Sequence, residues 1–487
     1  MSSLKNQAVN SAKWTTARTL VTSLTGPILL IIKTNYLTPA EFGVMAIINI
    51  FISLIAVVEN FGFNTAIIRK DVVTKDERSS LFILQLGVGF LLAFLLVVLS
   101  PFFGDIFDMG RLETLLPILS LSIIFNSPVT LFTAFLEKEF HFKELSIIQI
   151  IRELTLLVST TLFFQFFTDD LLAVVIGQIV AVGVMAILIV GVSFKNDLLH
   201  LSFHFKFDDI KPYFKFGVAV AGKQLLIQIT HNVDEMIIGL FLDETILGYY
   251  HFAKNLLNKF RQILTTSFSK ILLPLLSKVK NNKVRLFRAY NLISVYIATV
   301  TFPVFTGIAL TTNSFIPVFF DEGWLSSSNF FIILAIGYIP YLISPSIGNS
   351  LLYTINKPKL SFVIDFVNNI SYILILFIFS WINAGIYPVV ILYALYMLVK
   401  SISIQYFVYK EFDQTLLDYF SLFKGLLMCT VAMVIGVLGI QFILPDTINP
   451  IIELIVSVII GAGVYIGSLY MIERKIFIDL LQMVTNR

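Results

Sequence analysis

Apolar residues run along nearly the whole chain in stretches of about 20, each long enough as helix to cross a hydrocarbon core of roughly 30 Å. Short polar breaks separate them. The pattern predicts fourteen spans, at about 13–35, 42–66, 80–103, 114–135, 145–167, 171–194, 214–241, 247–269, 288–311, 329–352, 360–381, 385–408, 420–443 and 450–472. One region departs from the rest. Residues 214–269 are long enough for two spans yet carry Gln224, Gln228, His231 and Glu235 at steps of four, three and four, then His251, Asn255, Asn258 and Gln262 at the same steps. Each set occupies one narrow helical arc. Lys223 and Asp234 share a shoulder of the first arc, Lys254 and Arg261 a shoulder of the second.

Two facing polar stripes predict one wet cavity. The plainer readings are soluble amphipathic helices, or spans glued together by hydrogen bonds. Glue accounts for Gln and Asn. It accounts poorly for Lys223, Lys254, Lys259 and Arg261, because a cation at mid-bilayer costs about 2.5–3.5 kcal/mol and snorkelling rescues only those near a helix end.

Composition turns the span count into a class. The chain is 57% hydrophobic and 13% charged, with a mean hydropathy of +0.89, about half the charge of an average soluble protein. It is expected to be an all-α integral membrane protein. The single cysteine, Cys429, sits inside an apolar run, which leaves no disulfide framework or thiolate metal site and makes it a small packing residue. Residues 1–12 are polar, with no short apolar core and cleavage site before the first span, so that span is expected to act as its own insertion signal.

Charge between the spans alternates. Asp105, Asp108, Asp169, Asp170, Asp243, Glu244, Asp321, Glu322 and Asp446 fall in the odd-numbered connections with Arg111 as their one base, while Lys and Arg crowd the even-numbered ones, from Arg69 and Lys70 to Lys280 and Lys410. The positive-inside rule then places both termini in the cytoplasm of a cell that holds the chain in its cytoplasmic (inner) membrane.

The two halves are alike. A shift of 205 residues puts Arg18 on Lys223, Tyr36-Leu37 on Phe241-Leu242 and Phe42-Gly43 on Leu247-Gly248; a shift of 215 aligns Leu145-Ser146 with Leu360-Ser361. Six spans separate equivalent helices, and an even number gives two six-helix lobes of the same orientation, related by a pseudo-two-fold along the membrane normal. The expected division is 1–205 for the first lobe, 206–415 for the second and 416–487 for two added helices. Gly26-Pro27, Pro274, Pro303, Pro340 and Pro345 mark where spans could bend, and Gly463 with Gly467 suits a helix–helix contact.

Arg18 and Lys223 lie roughly 10 Å inside the cytoplasmic end of their helices. Either they face one another across a central cavity, or each snorkels to phosphates. Lys254 lies as deep from the other side, and Lys33 is near a span end. Arg152 and Glu153 are adjacent and about 100° apart, so one is expected to pair with another helix. Glu59, Asp234 and Asp365 are carboxylates that could bind a coupling cation or proton, or serve as counter-ions to nearby bases. No phosphate-cradling glycine loop, no HExxH and no His/Cys metal constellation appears, so no nucleotide hydrolysis, catalytic residue or metal site is read here.

Several stretches resemble the multidrug/oligosaccharidyl-lipid/polysaccharide exporter superfamily, and within it the polysaccharide transporter branch of Wzx-type flippases. They are Tyr36-Leu-Thr-Pro-Ala-Glu-Phe-Gly43, Glu59-Asn-Phe-Gly-Phe-Asn-Thr-Ala-Ile-Ile68, Asn232-Val-Asp-Glu-Met-Ile-Ile-Gly239 with Leu247-Gly-Tyr-Tyr250, and the stretch from Pro317 to Trp324, where Phe320-Asp-Glu-Gly323 departs from the usual glycine-led form. The resemblance covers essentially the whole chain. It implies two lobes around a central cavity and a substrate of isoprenoid-diphosphate-linked oligosaccharide.

The expected function is therefore a flippase working by alternating access, a transporter and not an enzyme. Arg18, Lys223 and Lys254, with Lys259 and Arg261 behind them, would attract the diphosphate. Gln224, Gln228, His231, Asn255 and Asn258 would line the sugar path, with Glu59, Asp234 and Asp365 as sites for coupling to a Na+ or H+ gradient. No cofactor is expected. Membrane lipids, a polysaccharide polymerase and glycosyltransferases are expected partners; nucleic acid is not. A cation-coupled multidrug exporter is the first alternative and wants acids rather than bases at its centre. A membrane glycan ligase or polymerase is the second, and wants a large outer loop.

Overall fold

The computed structural model describes residues 2–198, 204–279, 281–382, 385–445 and 447–485. Asp446 and Lys280, assigned to opposite sides by charge, lie outside the described residues, as does the side chain of Pro274. The described residues are almost entirely helical and include no β-strand.

They fall into two compact units, Met1–Gly248 and Tyr249–Arg487. The first holds α1 (Ser2–Tyr36), α2 (Pro39–Asn60), α3 (Phe63–Arg69), α4 (Lys75–Phe107), α5 (Arg111–Lys138), α6 (Phe142–Phe166), α7 (Asp170–Lys195) and α8 (Phe207–Phe241). Helix α9 (Glu244–Val279) begins there. The second holds the rest of α9, then α10 (Lys283–Phe319), a 3-10 turn at Glu322–Ser327, α11 (Ser328–Ile343), α12 (Pro345–Thr354), α13 (Pro358–Trp381), α14 (Ile386–Lys410), α15 (Leu416–Ser421), α16 (Lys424–Ile443), α17 (Pro450–Ile472) and α18 (Arg474–Thr485).

Twelve spans among the described residues are long and apolar enough to cross a membrane. Helices α8 and α9, with 35 and 36 residues, are also long enough but are not among the twelve. Their polar stripes keep them out, so a count of fourteen depends on admitting these two helices. The division at 205/206 concerns the matched order of elements. By packing, α8 sits on α2, α3 and α4 in the first unit.

Local chemistry explains where the helices start. Thr38 caps α2: its hydroxyl accepts from the Glu41 N–H at 3.3 Å while the Glu41 carboxylate accepts from the Thr38 N–H at 2.8 Å. Pro39 fills the first turn, where no N–H is needed. Thr74 and Glu77 make the same box at the start of α4. The Thr-Pro-Ala-Glu stretch is thus a helix start written in capping residues.

Two expected spans are broken. The second, expected as continuous over 42–66, ends at Asn60 with Phe61 (φ 41°) and Gly62 (φ 72°) both left-handed, and resumes as α3. The tenth breaks between Ile343 and Pro345, where the ring of Pro345 has no N–H to give. Helices run through Pro27, Pro303 and Pro340 without interruption. Two contact expectations also change. Arg152 bonds to Glu153 beside it instead of to another helix. The close approach of α16 and α17 is made by Gly461 against Val437 and by Gly436 against Val464, whereas Gly463 and Gly467 face open space.

Each unit has its own core. Phe63, Ile67, Leu81, Phe132, Phe135, Ile189 and Tyr213 fill the first. Leu286, Tyr290, Ile347, Ile404, Leu426 and Tyr465 fill the second, with Cys429 buried among them as expected of a packing residue.

Candidate functional site

In the first unit, Glu59 is buried (1% exposed) just before the Phe61–Gly62 break. Its Oε1 accepts from Ser127 Oγ and its Oε2 from Asn126 Nδ2, both at 2.8 Å and both from α5. The Glu59 backbone carbonyl accepts from Gln85 Nε2 of α4 at 2.9 Å. One glutamate so ties α2, α4 and α5 through neutral donors. Beside the break, α8 comes close enough that a Cβ on Gly217 would lie 2.3 Å from the Phe61 carbonyl oxygen. Gln224 of α8 lines a cavity of about 340 Å³ there with Ala56, Asn60, Gly62, Thr65 and Val220.

The other residues expected in this unit are spread along two helices. Arg18 donates to Gln149 Oε1 of α6, the helix on which α1 packs. Lys223 is exposed on α8, Gln228 and His231 are half-buried, and Asp234 is fully buried. The Gln228 carbonyl accepts from Asn232 Nδ2 at 2.8 Å.

The second unit brings more of its expected residues together. Arg261 Nε donates to Asn258 Oδ1 at 3.0 Å, and the Tyr338 hydroxyl of α11 donates to the same oxygen at 2.8 Å. Lys254 is 3% exposed, with its ammonium 5.0 Å from the ring centre of Tyr393 and 5.8 Å from that of Tyr250. Cation–π attraction replaces part of the lost hydration at such a position. Asn255 Nδ2 approaches His251 Nε2 at 3.4 Å, and Lys259 is half-buried on the same helix. Tyr393 continues the aromatic surface, with ring centres 5.9 Å from Tyr372 and 6.1 Å from Tyr396.

That surface ends at a cation that sequence reasoning missed. Lys400 of α14 is buried, with Nζ 3.2 Å from Asn369 Oδ1, 3.2 Å from the Tyr396 hydroxyl and 3.3 Å from Asp365 Oδ1. The Asp365 contact is an ion pair by distance whose alignment falls short of a hydrogen bond. Asp365, for which the sequence left a coupling site and a counter-ion open, stands where a counter-ion to Lys400 would. The signal was available: Tyr393, Tyr396 and Lys400 recur at steps of three and four inside an apolar span, opposite Asp365 and Asn369 at a step of four. Among the described residues no group of three or more His, Cys, Asp or Glu could hold a metal ion.

In the connections, Asp169 meets the Arg111 guanidinium and the Leu172 N–H. Burial alone would raise its carboxyl, yet those two donors hold it below the ordinary aspartate value. Glu244 is raised, mainly by burial and then by the neighbouring Asp243.

A family model described as polysaccharide biosynthesis protein matches residues 35–329, more than half of the chain. The chain belongs to that family. The chain is similar to the teichuronic acid biosynthesis protein TuaB of Bacillus subtilis (strain 168), 26% identical over 75% of each chain. An uncharacterized membrane protein in the cps region of Klebsiella pneumoniae is 25% identical over 98% of both. The lipopolysaccharide biosynthesis protein WzxC of Escherichia coli (strain K12) is 23% identical over 66% of this chain and 65% of its own.

Among solved structures, the lipid II flippase MurJ superposes with a TM-score of 0.76 over 94% of this chain and 98% of its own, at 16% identity. A multidrug resistance MATE family transporter does so with 0.64 over 82% and 96%, at 13% identity. Such low identities speak for the fold alone. This polysaccharide biosynthesis family member is a multi-pass membrane protein with the fold seen in that flippase and that transporter.

Proposed function

We propose that the protein moves an isoprenoid-diphosphate-linked oligosaccharide, a precursor of a cell-surface polysaccharide, across the cytoplasmic membrane by alternating access. The observation that carries this reading is the chemistry of the second unit. Lys254 is held buried against tyrosine rings, with Arg261 two turns along the same helix on an Asn258–Tyr338 hydrogen-bond pair. Cations kept at membrane depth mark a path for an anion. A diphosphate supplies the charge, and asparagine, glutamine and tyrosine groups suit sugar hydroxyls and ring faces.

On this reading Arg18, Lys223 and Lys254 draw the diphosphate inward, with Lys259 and Arg261 next along α9. Gln224, Gln228, His231, Asn255 and Asn258 exchange hydrogen bonds with the glycan, and the lipid tail stays in the bilayer. Both termini are cytoplasmic, glycosyltransferases supply the substrate and a polymerase receives it. No covalent bond is made or broken.

The test follows a fluorescent isoprenyl-diphosphate oligosaccharide across proteoliposomes, with wild type beside Arg18→Ala, Lys223→Ala and Lys254→Ala. Accelerated movement that the substitutions abolish supports the reading. Absence of movement with any lipid-linked glycan, alongside uptake of a small organic cation, overturns it.

A further inference from the structure

Lys400 sits ten residues from the end of α14 and Asp365 seven from the start of α13, adjacent ends of consecutive helices. At 1.5 Å per residue both are roughly 10–15 Å inside the membrane from that end. An ammonium has three N–H donors and no acceptor. Three oxygens surround this one at 3.2, 3.2 and 3.3 Å: Asn369 Oδ1, the Tyr396 hydroxyl and Asp365 Oδ1.

Those oxygens are themselves held in place. The Tyr396 hydroxyl donates its proton to Asn369 Oδ1 at 2.8 Å, which leaves its lone pairs for Lys400. Asn349 Nδ2 donates to Asp365 Oδ2 at 3.2 Å, and Asn349 Oδ1 accepts from Ser361 Oγ at 2.9 Å. A carboxylate, an amide carbonyl and a hydroxyl converging on one point are the hard oxygen donors that an alkali-metal or ammonium ion takes. Helices α12, α13 and α14 each contribute to this arrangement, so it is built by tertiary packing and not by one helix face.

We infer that the Lys400 ammonium is a tethered cation filling an oxygen site made by Asp365, Asn369 and Tyr396. While Lys400 is present, that site takes no diffusible cation, and a Na+ gradient does not act through Asp365. Removing the ammonium uncovers a site for a small monovalent cation, best for a primary alkylammonium that restores the lost atoms. Lys400→Ala deletes three carbons and the nitrogen, which n-propylammonium replaces.

The test is thermal unfolding of the purified full-length chain in detergent, at constant ionic strength in choline, sodium, potassium or n-propylammonium chloride. It needs no transported substrate, so its result is separate from the fate of the flippase reading. Wild type should unfold at the same temperature in all four salts. Lys400→Ala should gain a saturable rise of about 2 °C or more with n-propylammonium over choline, and Lys400→Ala/Asp365→Asn should lose it. A rise in wild type with sodium that Asp365→Asn abolishes would overturn the inference, as would a folded Lys400→Ala indifferent to every cation. Should Lys400→Ala not fold, Lys400→Met with and without Asp365→Asn replaces it. Recovery of unfolding temperature in the neutral pair supports the tethered cation, and no recovery overturns it.

Discussion

Gly43 near the start of α2 and Gly248 near the start of α9 make reciprocal contacts: a Cβ on Gly43 would lie 2.0 Å from the Glu244 carbonyl oxygen, and one on Gly248 1.7 Å from that of Pro39. The shift of 205 residues that aligns the halves carries Pro39 onto Glu244 and Gly43 onto Gly248. The two contacts are therefore repeat-equivalents, the self-complementary pattern of a two-fold relationship. All four residues lie in the first compact unit.

Alanine at either glycine must push two backbones apart. Gly43→Ala and Gly248→Ala should each lose about 1–3 kcal/mol, the usual penalty for overpacking, read as a lower unfolding temperature of the purified protein. Gly463→Ala and Gly467→Ala supply the contrast. With open space at their Cβ positions, helix propensity alone should leave them unchanged or stabilised by up to about 1 kcal/mol. Equal effects in the two pairs would refute the close-approach argument.

Much of this was legible from residue order. Apolar runs located the helices because a membrane span must be long and apolar. Gly43 and Gly248 could be matched because a close backbone crossing admits only glycine. The break at Phe61–Gly62 was not legible, since a left-handed phenylalanine is held by packing against α8 and has no local sequence signature. Lys400 carried a readable signal, but its partners Asp365 and Asn369 lie on another helix. Pairing across helices is a tertiary fact. Arg152 and Glu153 show the same limit from the other side: 100° of separation at the backbone did not stop two long side chains from meeting.

Lys254 provides a prediction for transport. Its charge lies against Tyr250 and Tyr393, and hydrogen bonds to charged groups contribute about 1.5–3 kcal/mol. Lys254→Gln should therefore slow glycolipid movement by roughly 10- to 100-fold. Tyr393→Leu keeps the charge and removes the ring, and should give a smaller loss. Wild-type rates in Lys254→Gln, with the protein folded, would remove this residue from the substrate path.

The Asp169–Arg111 pair predicts a pH dependence. Asp169 is held below its ordinary value in the folded state, so its contribution is present above the unfolded pKa of about 3.9. That contribution is lost as pH falls through the lower folded value. Wild type should thus lose more stability than Asp169→Asn as pH drops from about 5 to below 4. The Arg111 side chain is 47% exposed and that of Asp169 36%, so the difference should be small and should shrink in high salt. A difference that grows with salt would contradict an ion pair.

Glu59 separates a structural carboxylate from a working one. Ser127 and Asn126 each donate to it at 2.8 Å, and Ser127 has a second acceptor in the Ile123 carbonyl at 3.2 Å. Glu59→Gln can therefore keep one donated bond while Ser127 or the Asn126 amide turns, and stability should fall by less than about 1 kcal/mol. Glu59→Leu removes the shared acceptor from buried Ser127 and half-buried Asn126 and should cost more, about 1–3 kcal/mol. If the carboxylate only ties α2 to α5, transport should follow stability across the two variants. If transport collapses in a stably folded Glu59→Gln, the ionisable group itself is used in the cycle, and the proton becomes the ion to vary next.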